Sequence, residues 1–450
     1  MKWKALSYLL CAIFCGLLAF IPKVSATTGP SASALGTGFL ERRERLLTPT
    51  GLDLPLTDIT RRAWTDNLVT WRLRLRGVDP AEVWVEGPDG QPIPSQCDAG
   101  NVLTDGQPGD REARLMFFAS RPATGEIAYR IRVGGTKPDF SAGSPTIALT
   151  PDSRATELGN SVWSVRLPPL GEVSYPSPLL LAEVPLPISK VRLRDGSWVG
   201  SSSVIGTARR VLGVRVLKTA QGPMLAEALI RYRLEPSTPG GPEGYWTLSL
   251  RAVRGLPMLM VEEEIDTGIV TEGAPDRWRL DLANTGVDTV VGGFSGSSQE
   301  ADFPFKIPGS KTFGDPYEGP SLFERPLATT PVGLDKPDGI TPFQSYGSAY
   351  FWVGARESVG EAPNFIGMVP LHGGSWRRWP KVRPSIHPGG LFRMEADVGI
   401  NTHPEPVYSL STAADDANLM RSTARRQWGL CLGAPLSAYD LGILRCKYGS

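Results

Sequence analysis

The sequence predicts an all-β protein: an N-terminal β-sandwich followed by a larger antiparallel β domain. Three observations carry that expectation. The 450 residues include 50 glycines and 41 prolines, well above ordinary usage, and they punctuate the chain at short intervals. Between them lie segments that alternate apolar and polar residues, the period of half-buried strands. Helical periodicity is scarce.

Taken in order, the chain opens with Lys2 and Lys4, an apolar run from Leu6 to Ile21, and the small residues Val24, Ser25 and Ala26. That order is a secretory signal, expected to be cleaved after Ala26. The apolar run is about 16 residues, short for a bilayer span of roughly 20. Neither Cys11 nor Cys15 sits behind a lipoprotein-type box. Residues 27–51 read as a leader with little pattern.

Residues 52–151 read as the N-terminal β-sandwich. From Val69 to Arg76, Trp71, Leu73 and Leu75 share one face while Arg72, Arg74 and Arg76 share the other. A turn over 77–80 is expected to return the chain as a hairpin, setting the arginines opposite Glu82 and Glu86. The domain is expected to close at Lys137, Pro138, Asp139 and Pro145.

Residues 155–433 read as the larger β domain, and 434–450 as a tail. From Ala228 to Glu235, Ile230, Tyr232 and Leu234 alternate with Arg231 and Arg233. The loop over 236–244 is turn chemistry, and Trp246, Leu248 and Leu250 resume the pattern. Residues 294–348 are irregular and aromatic, as binding or lid loops are. The best helical signal covers 413–427. Thr412 is placed as its N-cap, Asp415 and Asp416 sit in its first turn, and Arg421, Arg425 and Arg426 near its end. The same segment also reads as a loop leading into a strand at Trp428 to Leu432.

Charge and cysteine usage narrow the function classes. With 47 basic and 46 acidic side chains, nucleic acid is not expected as the partner. No segment after the signal is apolar enough to span a membrane. Cys97, Cys431 and Cys446 remain after cleavage; Cys431 and Cys446 are close enough in sequence to bridge, leaving Cys97 free. Three cysteines in a chain this long are no disulfide scaffold, so the fold rests on its core. The absence of an Asn-x-Ser/Thr sequon fits a bacterial source.

Familiar catalytic signatures are missing: no Gly-x-Ser-x-Gly, His-Glu-x-x-His, Cys-x-x-Cys or phosphate-binding glycine loop is present. The three histidines, His372, His387 and His403, fall close together. His372, Trp376, Arg377, Arg378 and Trp379, with His387 nearby, make the leading substrate-binding candidate. Indole faces stack on sugar rings, guanidinium forks hold carboxylates, and His372 is the candidate for proton transfer. The competing reading has the tryptophans in the core and the arginines solvated. The histidine spacing matches no metal site, and no cofactor is expected. Glu262, Glu264 and Asp266 follow Met258 and Met260 at period two, on one face of a strand. They are candidates for Ca²⁺ or acid–base chemistry, or for pairing with Arg277 and Arg279 on a neighbouring strand. Pairing is the preferred reading, since a row of unpaired carboxylates repels itself.

The order of motifs is similar to that of the exo-rhamnogalacturonan lyase-like proteins. Residues 89–96 (D-G-Q-P-I-P-S-Q) resemble a strand-turn-strand of sugar-active enzymes, and 119–129 resemble their recurring Ala-x-Gly-x-x-x-Tyr strand. Gly159, Asn160, Ser161 and Trp163, followed by 191–200 (V-R-L-R-D-G-S-W-V-G), look like the opening of a galactose-mutarotase-like supersandwich. The resemblance implies a supersandwich-like larger domain in a secreted polysaccharide lyase or related glycan-degrading enzyme. In that case a base removes the proton beside a uronate carboxyl and an arginine stabilises the enolate. Such enzymes commonly add a helical toroid that this sequence lacks, so the chain reads as truncated after Ser450 or without its catalytic half. The expected partner is a polysaccharide or oligosaccharide, either uronate-containing or neutral. The alternatives are a non-catalytic glycan-binding module and an envelope-associated structural protein.

Overall fold

The computed structural model describes residues 42–56, 64–102, 110–122, 126–206, 209–236, 240–266, 276–294, 321–326, 352–358, 364–370, 382–387, 389–398 and 423–433. Every regular element among the described residues is a strand, apart from the single 3-10 turns Pro80–Glu82 and Leu181–Glu183. The protein is all-β. No helix among the described residues is long and apolar enough to cross a membrane.

The N-terminal sandwich packs two four-stranded sheets. One runs in the order Arg42–Leu47, Trp64–Leu75, Arg111–Arg121, Ser95–Val102; the other runs Leu52–Leu56, Ile127–Val133, Val83–Glu86, Pro92–Ile93. Trp71, Leu73 and Leu75 point inward as the alternation requires, against Leu54, Val83, Val85, Leu115, Phe117 and Ile131. Tyr129 packs its ring on Phe117, with centroids 5.3 Å apart, and donates its hydroxyl to the Ser120 carbonyl at 2.8 Å.

Three sequence expectations change here. The stretch read as a leader contains the strand Arg42–Leu47, parallel to Trp64–Leu75, with Leu47 fully buried. Its six residues carry no apolar alternation, which is why the sequence does not betray it. The expected hairpin after Arg76 does not form: the chain crosses to the opposite sheet, so Trp64–Leu75 and Val83–Glu86 never pair. Arg72 bonds Glu112, Arg76 bonds Asp110 at 2.9 Å, and Glu86 takes Arg132 instead. Finally, Thr146–Leu149, read as the end of the first domain, pairs with Thr156–Gly159 and belongs to the second.

The larger domain is built on a ten-stranded antiparallel sheet. Its order is Gly171–Leu180, Arg210–Gln221, Leu225–Leu234, Gly244–Val253, Met258–Asp266, Thr423–Leu432, Phe365–Pro370, Trp352–Arg356, Thr289–Phe294, Ser321–Pro326. Two smaller sheets complete the domain. One is five-stranded (Trp198–Val199, Lys190–Arg192, Ser164–Leu167, Thr156–Gly159, Thr146–Leu149) and the other four-stranded (Ser201–Ile205, Arg277–Leu282, Leu391–Asp397, Val382–His387). Apolar residues of all three sheets form one continuous core. The expected hairpin of Leu225–Leu234 with Gly244–Val253 is present, with Ile230 opposite Leu248 and Tyr232 opposite Trp246.

The strand Thr423–Leu432 closes the large sheet by filling a slot between Met258–Asp266 and Phe365–Pro370. Residues 423–427 are therefore strand, and the helical reading of that part fails. A slot offering backbone partners on both sides outweighs the weak preference of Arg425, Arg426 and Gln427 for helix. Tyr232, Trp246, Trp278 and Trp428 stack through the core, with successive ring centroids 4.9, 6.0 and 6.4 Å apart.

Candidate functional site

The large sheet has two chemically opposite faces, both set by period two. One face carries Tyr232, Trp246, Leu248, Val261, Ile265 and Trp428 into the core. On the other, register places Glu172, Arg215, Arg231, Thr247, Glu264 and Arg425 in one row across six strands. The next row toward the sheet end holds Gly213, Arg233, Tyr245, Asp266 and Thr423. On the opposite side runs the row Ser249, Glu262, Gln427, and beyond it Glu227, Arg251, Met260.

Exposure along this face follows a gradient. Arg215 and Arg231 are open to solvent, Tyr245, Thr247, Glu264 and Asp266 are half-buried, and Ser249, Glu227 and Arg251 are buried. The covering body is the N-terminal sandwich. Its Leu68 and Met116 join Met224, Leu225, Val253, Met258 and Met260 in an apolar cluster. Gln96 Oε1 accepts hydrogen bonds from the amides of Met224 and Leu225 at 3.0 and 2.9 Å. Gly222 permits this approach, since a Cβ there would lie 2.6 Å from Gln96 Cδ. The N-terminal sandwich thus forms a wall at one end of the polar face.

At the foot of the wall lies a charged network. Arg251 Nε donates to Glu227 Oε1 at 2.8 Å, and its two terminal nitrogens donate to Glu262 Oε2 at 3.1 Å. The Ser249 hydroxyl also donates to Glu227 Oε1. Burial pushes the Glu227 pKa up, but the Arg251 charge, the Ser249 hydroxyl and the Arg114 charge outweigh it and hold the carboxyl below its usual range. From the N-terminal sandwich, Arg114 binds Asp98 at 3.1 Å, and Gln96 Nε2 donates to Asp98 at 2.7 Å. Burial lowers the Arg114 pKa. Nearby, the thiol of Cys97 is driven up to about 12, chiefly by burial, and so stays protonated and unreactive at neutral pH. Farther out, Arg231 lies over the Tyr245 ring at 4.3 Å and Arg233 pairs with Glu243 at 3.0 Å.

The sequence-derived candidates fare unequally. His372, Trp376, Arg377, Arg378 and Trp379 lie outside the described residues, as do His403 and Cys446. His387 ends an edge strand of the four-stranded sheet, with Nε2 3.0 Å from Ser385 Oγ. Glu262, Glu264 and Asp266 share one face with Met258 and Met260, as read. The partner is corrected: Glu262 is held by Arg251, whereas Arg277 and Arg279 bind Glu395 in the four-stranded sheet, each at 2.6 Å. The chain leaves the large sheet after Asp266, so nearness in sequence does not become strand pairing. Sequence reading missed Glu227, Arg251, Ser249 and Gln96. Gln96 lies 128 and 129 positions from the amides it binds, Glu227 lies 22 and 24 positions from Ser249 and Arg251 on the neighbouring strand, and only the alternation of Arg251 with Leu250 and Ala252 hinted at a polar face. Among the described residues, no group of three His, Cys, Asp or Glu is arranged to hold a metal ion.

No protein-family model matches the chain, and no curated protein does. Among solved structures it is similar to a glycosyl hydrolase family 38 protein from Enterococcus faecalis, at 11% identity and a TM-score of 0.43, covering 87% of this chain and 46% of that one. An α-mannosidase from Enterococcus faecalis V583 overlaps at 11% identity and a TM-score of 0.41, covering 87% and 45%. The galactosidase domain of an α-galactosidase–sucrose kinase overlaps at 10% identity and a TM-score of 0.29, covering 64% and 42%. The chain spans less than half the length of each of these.

Proposed function

We propose that this chain is a secreted carbohydrate-active protein, the β-sandwich part of a glycan-degrading enzyme, and that it meets its glycan on the polar face of the ten-stranded sheet. The carrying observation is the composition of that face. Guanidiniums (Arg215, Arg231, Arg233), carboxylates (Glu264, Asp266), a hydroxyl (Thr247) and an aromatic ring (Tyr245) sit in registered rows beside a wall. A sugar presents hydroxyls at its rim and C–H groups on its faces, so a site that mixes ions, hydroxyls and a ring suits it. Uronates are the sugars such guanidiniums favour, and lyase chemistry is the finer form of this proposal.

A non-catalytic binding module is the second reading, and one observation favours it. The deepest carboxylates, Glu227 and Glu262, are both bonded to Arg251, which leaves them poorly disposed to act as bases. The test titrates the full chain with neutral and uronate-containing oligosaccharides by calorimetry, while products are assayed for new reducing ends and unsaturated sugars. We expect binding that weakens by about tenfold or more in the Arg231→Ala/Tyr245→Ala double variant, the loss of one charged hydrogen bond being about 1.5–3 kcal/mol. Binding without products selects the module. Glycan binding that is absent, or unmoved by the double variant, removes this face from consideration.

A further inference from the structure

The outer face of the five-stranded sheet carries a second cluster that the polar face of the large sheet does not explain. Leu158, Val165, Val191 and Val199 lie in one row across this sheet and point into the core. Period two therefore turns the rows on either side outward. One holds Trp198, Arg192, Ser164, Gly159 and Thr146; the other holds Lys190, Arg166, Glu157 and Ala148. Lys190, Arg166 and Arg192 face only Glu157 in these two rows, so the patch is basic in a chain whose formal net charge is +1.

The two guanidiniums are held in place and are short of acceptors. Arg166 lies over the Trp198 ring, 4.3 Å from its centroid, a stacking that fixes its plane. Its contact with Glu157 is long, at 3.5 Å. Arg192 donates through Nη2 to Ser164 Oγ at 2.8 Å and meets no carboxylate among the described residues. The Nε–H groups of both arginines are buried without a hydrogen-bond acceptor, out of reach of a ligand in solvent, so an arriving carboxylate meets these guanidiniums at their Nη groups. A planar carboxylate bridges the two Nη groups of a guanidinium bidentately.

Beyond Arg192 the row is low and polar. Gly159 carries no side chain because a Cβ there would collide with the Trp163 carbonyl and Ser164 Oγ. Gly159 and Ser164 are themselves buried, so the exposed path across this face follows the other row, from Lys190 over Arg166 and Glu157 to Ala148, three strand spacings, about 14 Å. That is a track for a short chain of sugars rather than for one small ion.

We propose that this outer face binds an oligosaccharide bearing carboxylates, with Arg192 and Arg166 holding the carboxylates and Trp198 positioning Arg166. The proposal rests on the carbohydrate reading above and adds to it a second surface and an acidic ligand class. The experiment measures calorimetric binding of oligogalacturonate, and of its carboxyl-reduced neutral counterpart, to the full chain and to Arg192→Gln, Trp198→Ala and Arg231→Ala. Arg192 is half-exposed with one side-chain partner, so Arg192→Gln keeps the fold even if Trp198→Ala does not. The expected result is a loss of about tenfold or more for oligogalacturonate in Arg192→Gln, with the neutral sugar unaffected and an unchanged melting temperature. Oligogalacturonate binding that is the same in Arg192→Gln and the parent overturns the proposal. If that binding falls only in Arg231→Ala, the carbohydrate reading stands and this surface does not. A parent chain that binds neither sugar overturns both.

Discussion

Glu263 sits with none of its surface exposed inside the larger domain's core, yet both its oxygens are occupied. Oε1 accepts from Arg426 Nε at 3.0 Å and Trp428 Nε1 at 2.5 Å, and Oε2 from Arg426 Nη2 at 2.6 Å and Trp246 Nε1 at 2.9 Å. A buried charge is tolerable only when it is paired and fully hydrogen-bonded, and here one guanidinium and two indoles meet both needs. Glu263→Gln keeps the shape but takes from the buried Arg426 guanidinium the carboxylate that its Nε and Nη2 both bind. A destabilisation of about 3–5 kcal/mol is expected, since breaking a buried pair costs that much, and urea unfolding of the variant against the parent measures it. An unchanged midpoint would mean that this pair contributes nothing net. The sequence reading singled out Glu262, Glu264 and Asp266 and passed over Glu263 between them. A glutamate within an alternating strand reads as polar-out, and nothing local reveals that Arg426, 163 positions away, turns this one into a core residue.

Strands Ser95–Val102 and Arg111–Arg121 do two jobs. One face closes the N-terminal core, and the other presents Gln96, Asp98, Arg114 and Met116 to the large sheet. Gln96 works as a clamp because its side-chain carbonyl takes two backbone amides of the segment entering Leu225–Leu234. In Gln96→Leu those amides stay buried and lose their acceptor, at about 1–3 kcal/mol each. The expected outcome is faster hydrogen exchange at Met224 and Leu225 while the amides within Gly244–Val253 keep their protection; equal rates in the two proteins would dismiss the clamp. At this scale the apolar alternation of Trp71, Leu73 and Leu75, or of Ile230, Tyr232 and Leu234, was plain in the sequence. The destination of the alternate arginines was not. Arg76 meets Asp110 rather than Glu82 or Glu86 because a turn signal marks where a strand ends, not whether the next joins the same sheet.

The N-terminal sandwich and the large sheet share an apolar cluster, the Gln96 hydrogen bonds and the attraction between Arg114 and Glu227, so they are expected to unfold together near neutral pH. Acid is expected to separate them. The Glu227 carboxyl is held below its ordinary value of 4.5, so its contribution is complete above that pH and is lost as pH falls through the lowered folded value. Scanning calorimetry then gives one endotherm at pH 7 and, well below pH 4.5, an earlier second one from the released sandwich; two endotherms already at pH 7 would contradict the coupling. The same docking leaves one end of the polar face open beside a wall, the geometry on which the proposed glycan site depends.

The all-β class, a smaller and a larger β body, and the inward or outward sense of most strand residues are legible in the amino-acid sequence. Those properties are local, since period two and turn chemistry are written in neighbouring residues. Which guanidinium meets which carboxylate, the place of Thr423–Leu432 in the middle of the large sheet and that of Arg42–Leu47 at a sheet edge emerge only in the folded chain. Strand order and register join residues far apart in the chain, and side-chain chemistry alone does not encode the pairing: Arg251, Arg277 and Arg279 are each electrostatically suitable partners for Glu262, and of these three the fold places Arg251 beside it.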